Sequence, residues 1–163
     1  QGATAWINLT TPAYCWFAND IGKSSWGALY NWYTVQTGRL CPTGWHVPTD
    51  DEFKILETYL GMTADQSNEW EWRGTDEGKK LKSATGWKAG ENGTNTSGFT
   101  ALPYGYRYGA TGSFDGSDML TYWWSNEYNA QYGYYRRVDG PESRIHRSAT
   151  SKKGGKYVRC LKN

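Results

Sequence analysis

Glu127, Asp139 and Glu142 are the acids that a glycoside hydrolase would need to pair, one as proton donor and one as base or nucleophile. Nothing in their spacing sets two of them at the separation that chemistry requires. His46 follows Trp45 just before an acidic helix start, where structural hydrogen bonding is the simpler reading. His146, in "SRIHRSA", shares a strand face with Arg144, and that face is either solvent or a binding surface. No GxSxG elbow offers a serine nucleophile. Cys15, Cys41 and Cys160 form no CxxC and no Cys/His cluster, which argues against structural zinc. In an exported protein any two of them could pair, leaving one over. For calcium, "FDGSD" offers Asp115 and Asp118, and "ENGTN" offers Glu91 and Asn95. Neither has EF-hand spacing, and Asx-turn chemistry explains the first. Metal and other cofactors are therefore not expected, with calcium a weak candidate at Asp115 and Asp118.

The densest chemistry is aromatic. "TYWWSNEYNAQYGYYRR", Thr121 to Arg137, is far richer in rings than the chain's 17% average, and its rings alternate with Asn, Gln, Glu and Arg. Strand alternation sends Trp123 and Trp124 to opposite sides, so one is expected in the core. It also sets Tyr132, Tyr134, Arg136 and Val138 against Gly133, Tyr135 and Arg137. Tyr, Asn, Ser and Arg dominate adaptable binding surfaces, and rings beside amides and acids suit the faces of sugars. The expected ligand face comprises Trp124, Asn126, Glu127, Tyr128, Asn129, Tyr132, Tyr134 and Arg136, with Arg144 and His146 beside it.

The elements that must position these groups are short. "SSWGALYNWYTVQTG" reads as a helix with an aromatic face, Ser25 as N-cap and Gly38 as stop. A brief strand follows in "RLCPTGWHVP". In "PTDDEFKILETYLG", Thr49 stands three residues before Glu52, as a capping box requires, and Asp50 and Asp51 sit where the helix dipole favours acids. Phe53, Leu56 and Leu60 line one face and Gly61 suits the C-terminal turn. Helix capping thus accounts for Asp50, Asp51 and Glu52 without catalysis. Residues 62–97 read mostly as polar loop. After Gly98 come short strands: "FTALPYGYRY", "GSFDG", "LTYWWSNEY", "YGYYRRV", "SRIHRSA" and "KYVRCLK". Helices first and strands later is an α+β pattern with a mainly antiparallel sheet.

Composition narrows the function classes. The 163 residues fit one domain spanning 1–163, and twenty glycines argue against a helical bundle. A net charge of +2 with mixed signs leaves no electrostatic footprint for nucleic acid, and no apolar run is long enough to insert in a membrane. "NLT" at Asn8, "NGT" at Asn92 and "NTS" at Asn95 match the glycosylation sequon, which matters only in a glycosylating host. The start at "QGATAW" reads as processed or trimmed from a larger chain.

"YNWYTV", "LCPTGWHVPTDDEF", "GTNTSGFTALPYGYR", "WWSNEY", "YRRV" and "VRCLK" occur in this order. Together they resemble the Fibrobacter succinogenes major paralogous domain, a family of exported bacterial surface proteins, over nearly the whole chain. The layout is also similar to the C-type lectin-like fold, including the formylglycine-generating factors, whose "R-L-P-T-E-x-E-W" segment is matched by His46 to Phe53. The resemblance implies two short helices on an irregular, mainly antiparallel sheet, and a location outside the cell or on its surface. It implies a Cys41–Cys160 disulfide, whose loop of over a hundred residues would contribute on the order of 4 kcal/mol. Cys15, flanked by rings, is then a buried free thiol. The oxidase members need a late cysteine pair, and no Cys lies between Cys41 and Cys160, so that enzymatic chemistry has no nucleophile. What remains is non-catalytic binding of a glycan or protein. The alternatives are a self-associating subunit of an extracellular assembly or filament, and a receptor or adhesin diversified by a retroelement in the late aromatic region.

Overall fold

Thr49, Asp50 and Glu52 start the helix that organises the molecule. In the computed structural model, which describes residues 2–163, the Thr49 hydroxyl accepts the Glu52 N–H while the Glu52 carboxylate accepts the Thr49 N–H. This capping box opens α3 (Asp50–Tyr59), the third of five short α-helices among the described residues, after α1 (Ala3–Ile7) and α2 (Trp32–Val35) and before α4 (Ala64–Asn68) and α5 (Glu77–Leu81). Thr49→Ala is expected to cost about 1 kcal/mol, read as a lower urea midpoint with an unchanged slope. Gly61 at φ 122 ends the helix in a backbone region that side chains avoid.

The sequence leads one to expect a single helix over "SSWGALYNWYTVQTG", and here the structure differs. Ile21–Trp26 is a 3₁₀ turn, Gly27 breaks it at φ 88, Leu29–Tyr30 forms strand β2, and only Trp32–Val35 is α-helical, capped by Asn31. A strand at Leu29 and Tyr30 is possible because β1 (Tyr14–Cys15) and Lys156 lie alongside to pair with it. Tertiary pairing overrides a local helical spacing.

β3 (Trp45–His46) pairs with β10 (Leu161–Lys162). The remaining strands are β4 (Glu71–Arg73), β5 (Tyr104–Arg107), β6 (Phe114–Ser117), β7 (Leu120–Glu127), β8 (Tyr132–Asp139) and β9 (Ile145–Ser151). They form one sheet in the order β4-β9-β8-β7-β5-β6, antiparallel except for the β5–β7 contact. The architecture is mixed α+β, with few short helices around a multistrand sheet. Strand β4 and helices α4 and α5 fall in the segment read as polar loop.

Both tryptophans of "TYWW" are buried, because this sheet is covered on both faces. Trp123 faces the main core with Phe53, Leu81, Trp87, Val138 and Ile145. Trp124 faces a second cluster with Trp32 and Val35, and its indole N–H donates to the Tyr30 carbonyl at 2.7 Å. Cys41 and Cys160 are joined, tying the approach to α3 to the last strand, while Cys15 is a buried free thiol pushed up by that burial.

Beneath α3 lies a cluster of buried charges. Asp50 accepts from Arg136 at 2.8 Å and, in a fork, from Arg147 at 2.8 and 2.7 Å. Glu57 takes Arg136 at 2.6 Å and Arg73 at 2.5 Å. Asp50 therefore does more than favour the helix dipole. Burial alone would raise its carboxyl, but Arg147 and Arg136 outweigh that and hold it well below the usual carboxylate range.

Candidate functional site

The β7–β8 hairpin carries the first half of the site. Its turn is built by Asn129, whose side-chain oxygen accepts the N–H groups of Gln131 and Tyr132, both at 2.9 Å. The Tyr132 carbonyl in turn accepts from Tyr128 and Asn129. The register shifts between Trp124 and Glu127, a bulge that re-aims the residues after it. Gly133 must be glycine, since a Cβ there would lie 2.3 Å from the Trp32 ring. Turn, bulge and glycine together present Tyr128 and Tyr132 at 46% and 40% exposure.

The second half comes from the chain just before β4. Trp70, 43% exposed, stacks 5.7 Å from Tyr134 at an interplanar angle of 29° and meets Tyr128 edge-on at 5.4 Å. Tyr128 and Tyr134 are themselves 5.0 Å apart. The Arg147 guanidinium sits 4.8 Å from the Trp70 ring and 5.0 Å from the Tyr134 ring. Its fork to Asp50, with bonds to the carbonyls of Asn68 and Glu69, fixes it in place. Trp70, Tyr128, Tyr132, Ser148 and Ala149 line an open cavity of about 350 Å³. Three rings of fixed mutual geometry, two of them over a locked cation, form with the exposed Tyr132 a rigid, amphipathic contact surface.

Of the expected ligand face, Tyr128, Asn129, Tyr132 and Tyr134 come together here. The others are placed elsewhere. Trp124 is fully buried in the second core cluster, and Arg136 is 1% exposed, its guanidinium committed to Asp50 and Glu57. The inward side of β8 runs under α3, so period-two alternation puts Arg136 in the interior while Tyr134, nearer the open end, stays half-buried. Asn126 accepts the Asp50 N–H at 2.8 Å and so helps start α3. Glu127 pairs with Lys152 and borders a separate hollow with Trp32 and His46. Arg144 forks onto Glu142 at 3.0 and 2.7 Å.

His146 is 6% exposed on the opposite sheet face, stacked 5.6 Å from Tyr135, with Nε2 2.6 Å from Glu71. Burial pushes its imidazole below the ordinary value, against the pull of Glu71. His46 bonds Glu52 at 2.8 Å and Asn163 at 2.6 Å, which fits its structural reading. Asp115 accepts its neighbour Gly116 N–H at 2.7 Å, and Asp118 turns the chain at φ 64, both at the far edge of the sheet. Among the described residues no three His, Cys, Asp or Glu side chains are grouped as a metal ion would need.

Trp70, Arg147, Ser148 and Ala149 were not marked by sequence reasoning. "NEWEWR" held a signal for the first: Trp70 and Trp72 alternate with acids at the strand period, inside a segment otherwise read as loop. A larger cleft, about 430 Å³, opens between Trp26, Tyr104, Trp123 and Tyr157. Its rings are engaged with one another: Trp26 lies flat on Tyr104 at 4.5 Å, and the Tyr157 hydroxyl donates to the Tyr104 carbonyl.

The family model of the Fibrobacter succinogenes major domain matches residues 2–162. The chain belongs to this family. No curated protein and no solved structure matches the chain.

Proposed function

We propose that this member of the Fibrobacter succinogenes major domain family is a non-catalytic ligand-binding module of an exported or cell-surface protein, on a C-type lectin-like scaffold. Its ligand, a glycan or a protein, is held by the ring cluster of Trp70, Tyr128, Tyr132 and Tyr134. One observation carries the reading: three large rings from two separate segments stay exposed around one cavity, braced by a buried, fully bonded guanidinium. The cluster supplies flat apolar area, hydroxyls and amides but no paired acids and no nucleophile. The Cys41–Cys160 disulfide suits an oxidising, extracellular setting.

The test is substitution of the rings. Trp70→Ala and Tyr128→Ala are each expected to weaken ligand binding roughly tenfold or more, about 1.5 kcal/mol or above per anchor, with the melting temperature nearly unchanged. Folded variants that bind as the parent does would remove the site. Arg136 is unsuitable as a probe, since its removal would strike the core. A second reading, assembly of an extracellular structure, draws on Ile55 and Tyr59, 69% and 85% exposed on the outer face of α3. Light scattering that shows a monomer at high concentration would count against it.

A further inference from the structure

We infer that the ring-lined cavity and the open edge of β9 form one site, and that its ligand is an extended stretch of a partner polypeptide added as a strand beside Ala149. This deepens the ligand-binding reading above and rests on it.

Strand β4 covers only part of β9, pairing Glu71, Trp72 and Arg73 with Arg147, His146 and Ile145. Continued, that register would set Trp70 opposite Ser148 and Glu69 opposite Ala149. The chain turns away instead, because Glu71 is in the left-handed region at φ 62 and Arg147 holds the carbonyls of Asn68 and Glu69. Strand β8 pairs with β9 along its other side as far as Ser151. The Lys152 N–H donates to the Gln131 carbonyl, which fixes that pair as hydrogen-bonded. By antiparallel alternation Thr150 and Ser148 bond to β8, whereas Ala149 and Ser151 point their N–H and C=O groups outward. Arg147, of the same outward parity, is the residue opposite Glu71. The Ser151 carbonyl is taken by Gly154. The Ala149 N–H and carbonyl and the Ser151 N–H are left along the open edge.

Sheet edges are ordinarily blunted by charge, proline or a bulge. The opposite edge of this sheet, β6, follows that rule, with Asp115 and with Gly116 at φ 77. Ser148, Ala149, Thr150 and Ser151 carry no such device. Beside Ala149 lies the cavity walled by Trp70, Tyr128 and Tyr132. A strand added there would meet backbone groups at strand spacing and send alternate side chains towards the rings, and an apolar or aromatic side chain is the one they fit. An oligosaccharide could stack on the rings, but it lacks the N–H and C=O repeat that complements Ala149.

The experiment selects binders from a library of random linear octapeptides displayed on phage, then measures the synthesised peptide by fluorescence polarisation. Ala149→Pro removes the outward N–H without touching a bond to β8, and is expected to lower affinity at least tenfold, while Ala149→Ser retains it. N-methylation along the peptide should abolish binding at every second residue. This scan uses the parent protein, so it decides the matter even if the proline variant does not fold. A peptide that needs Trp70 and Tyr128 but shows no alternating pattern overturns strand addition and leaves the ring site standing. Glycan-array binders that depend on the rings, with no peptide selected, overturn the peptide and keep the binding reading. Binders of either kind that ignore the rings defeat both. A dimer of the chain that Ala149→Pro dissolves would put a second copy on the edge and overturn the proposal.

Discussion

Glu57→Ala is expected to lower stability by about 3–5 kcal/mol, a large part of the 5–15 kcal/mol typical of a folded domain. Glu57 is 1% exposed and is the carboxylate shared by Arg73 and Arg136. Its removal strands the Arg73 guanidinium in the interior and takes from Arg136 one of its two buried carboxylate partners, leaving it only Asp50. Arg73 already has Nε and one terminal nitrogen buried without a partner, so it has no second acceptor to fall back on. Urea unfolding read by tryptophan fluorescence checks the figure, and a loss under 1 kcal/mol would show that water reaches the cluster. The same cluster sets the acid limit. The folded Asp50 carboxyl is depressed by Arg147 and Arg136, so its contribution is fully present above the unfolded value near pH 4 and is lost as the pH falls below it. Substitution of Asp50 should therefore flatten the stability curve between about pH 4 and pH 2. Because Arg147 is also the brace beneath Trp70, damage here would loosen the ring cluster too.

Reduction of Cys41–Cys160 is expected to have an effect of comparable size. The residues are 119 apart in sequence, and freeing so long a loop in the unfolded chain costs about 4–5 kcal/mol of stability. A paired Cys41→Ser, Cys160→Ser variant should melt roughly 10–20 °C lower. An unchanged melting temperature would mean that the pairing of β3 with β10 holds the terminus unaided. Cys15, buried elsewhere, should stay unreactive to thiol reagents until the protein unfolds.

Much of this was legible in the residues. Thr49 and Glu52 declare the helix start because a capping box is a purely local device. Period-two alternation in the late strands sorted Tyr132 and Tyr134 from Tyr135 and Arg137 correctly. It also sent Trp123 and Trp124 to opposite sides, as found, but could not show that Trp124 is buried too, because alternation says which side a residue faces, not whether that side is covered, and here both are. Arg136 and His146 were misplaced for the same reason: polar side chains suggest a surface, while Arg136 lies under α3 against Asp50 and Glu57. Those partners are 86 and 79 positions away, a pairing no local pattern reveals. Trp70 joins the site through a contact across the sheet with Tyr134, so only the fold brings the two together. The 3₁₀ turn at Ile21–Trp26 was hidden by a helical spacing that Gly27 interrupts.

The central claim is that Trp70, Tyr128, Tyr132 and Tyr134 form the ligand face. Hydrogen–deuterium exchange of the parent protein, with and without a binder from the octapeptide library or a glycan array, tests it most directly. Slowed exchange confined to residues 69–71, 128–134 and 147–151 is the predicted result. Protection instead at Trp26, Tyr104 and Tyr157, with the β7–β8 hairpin and β9 unchanged, would contradict it and move the site to the larger cleft.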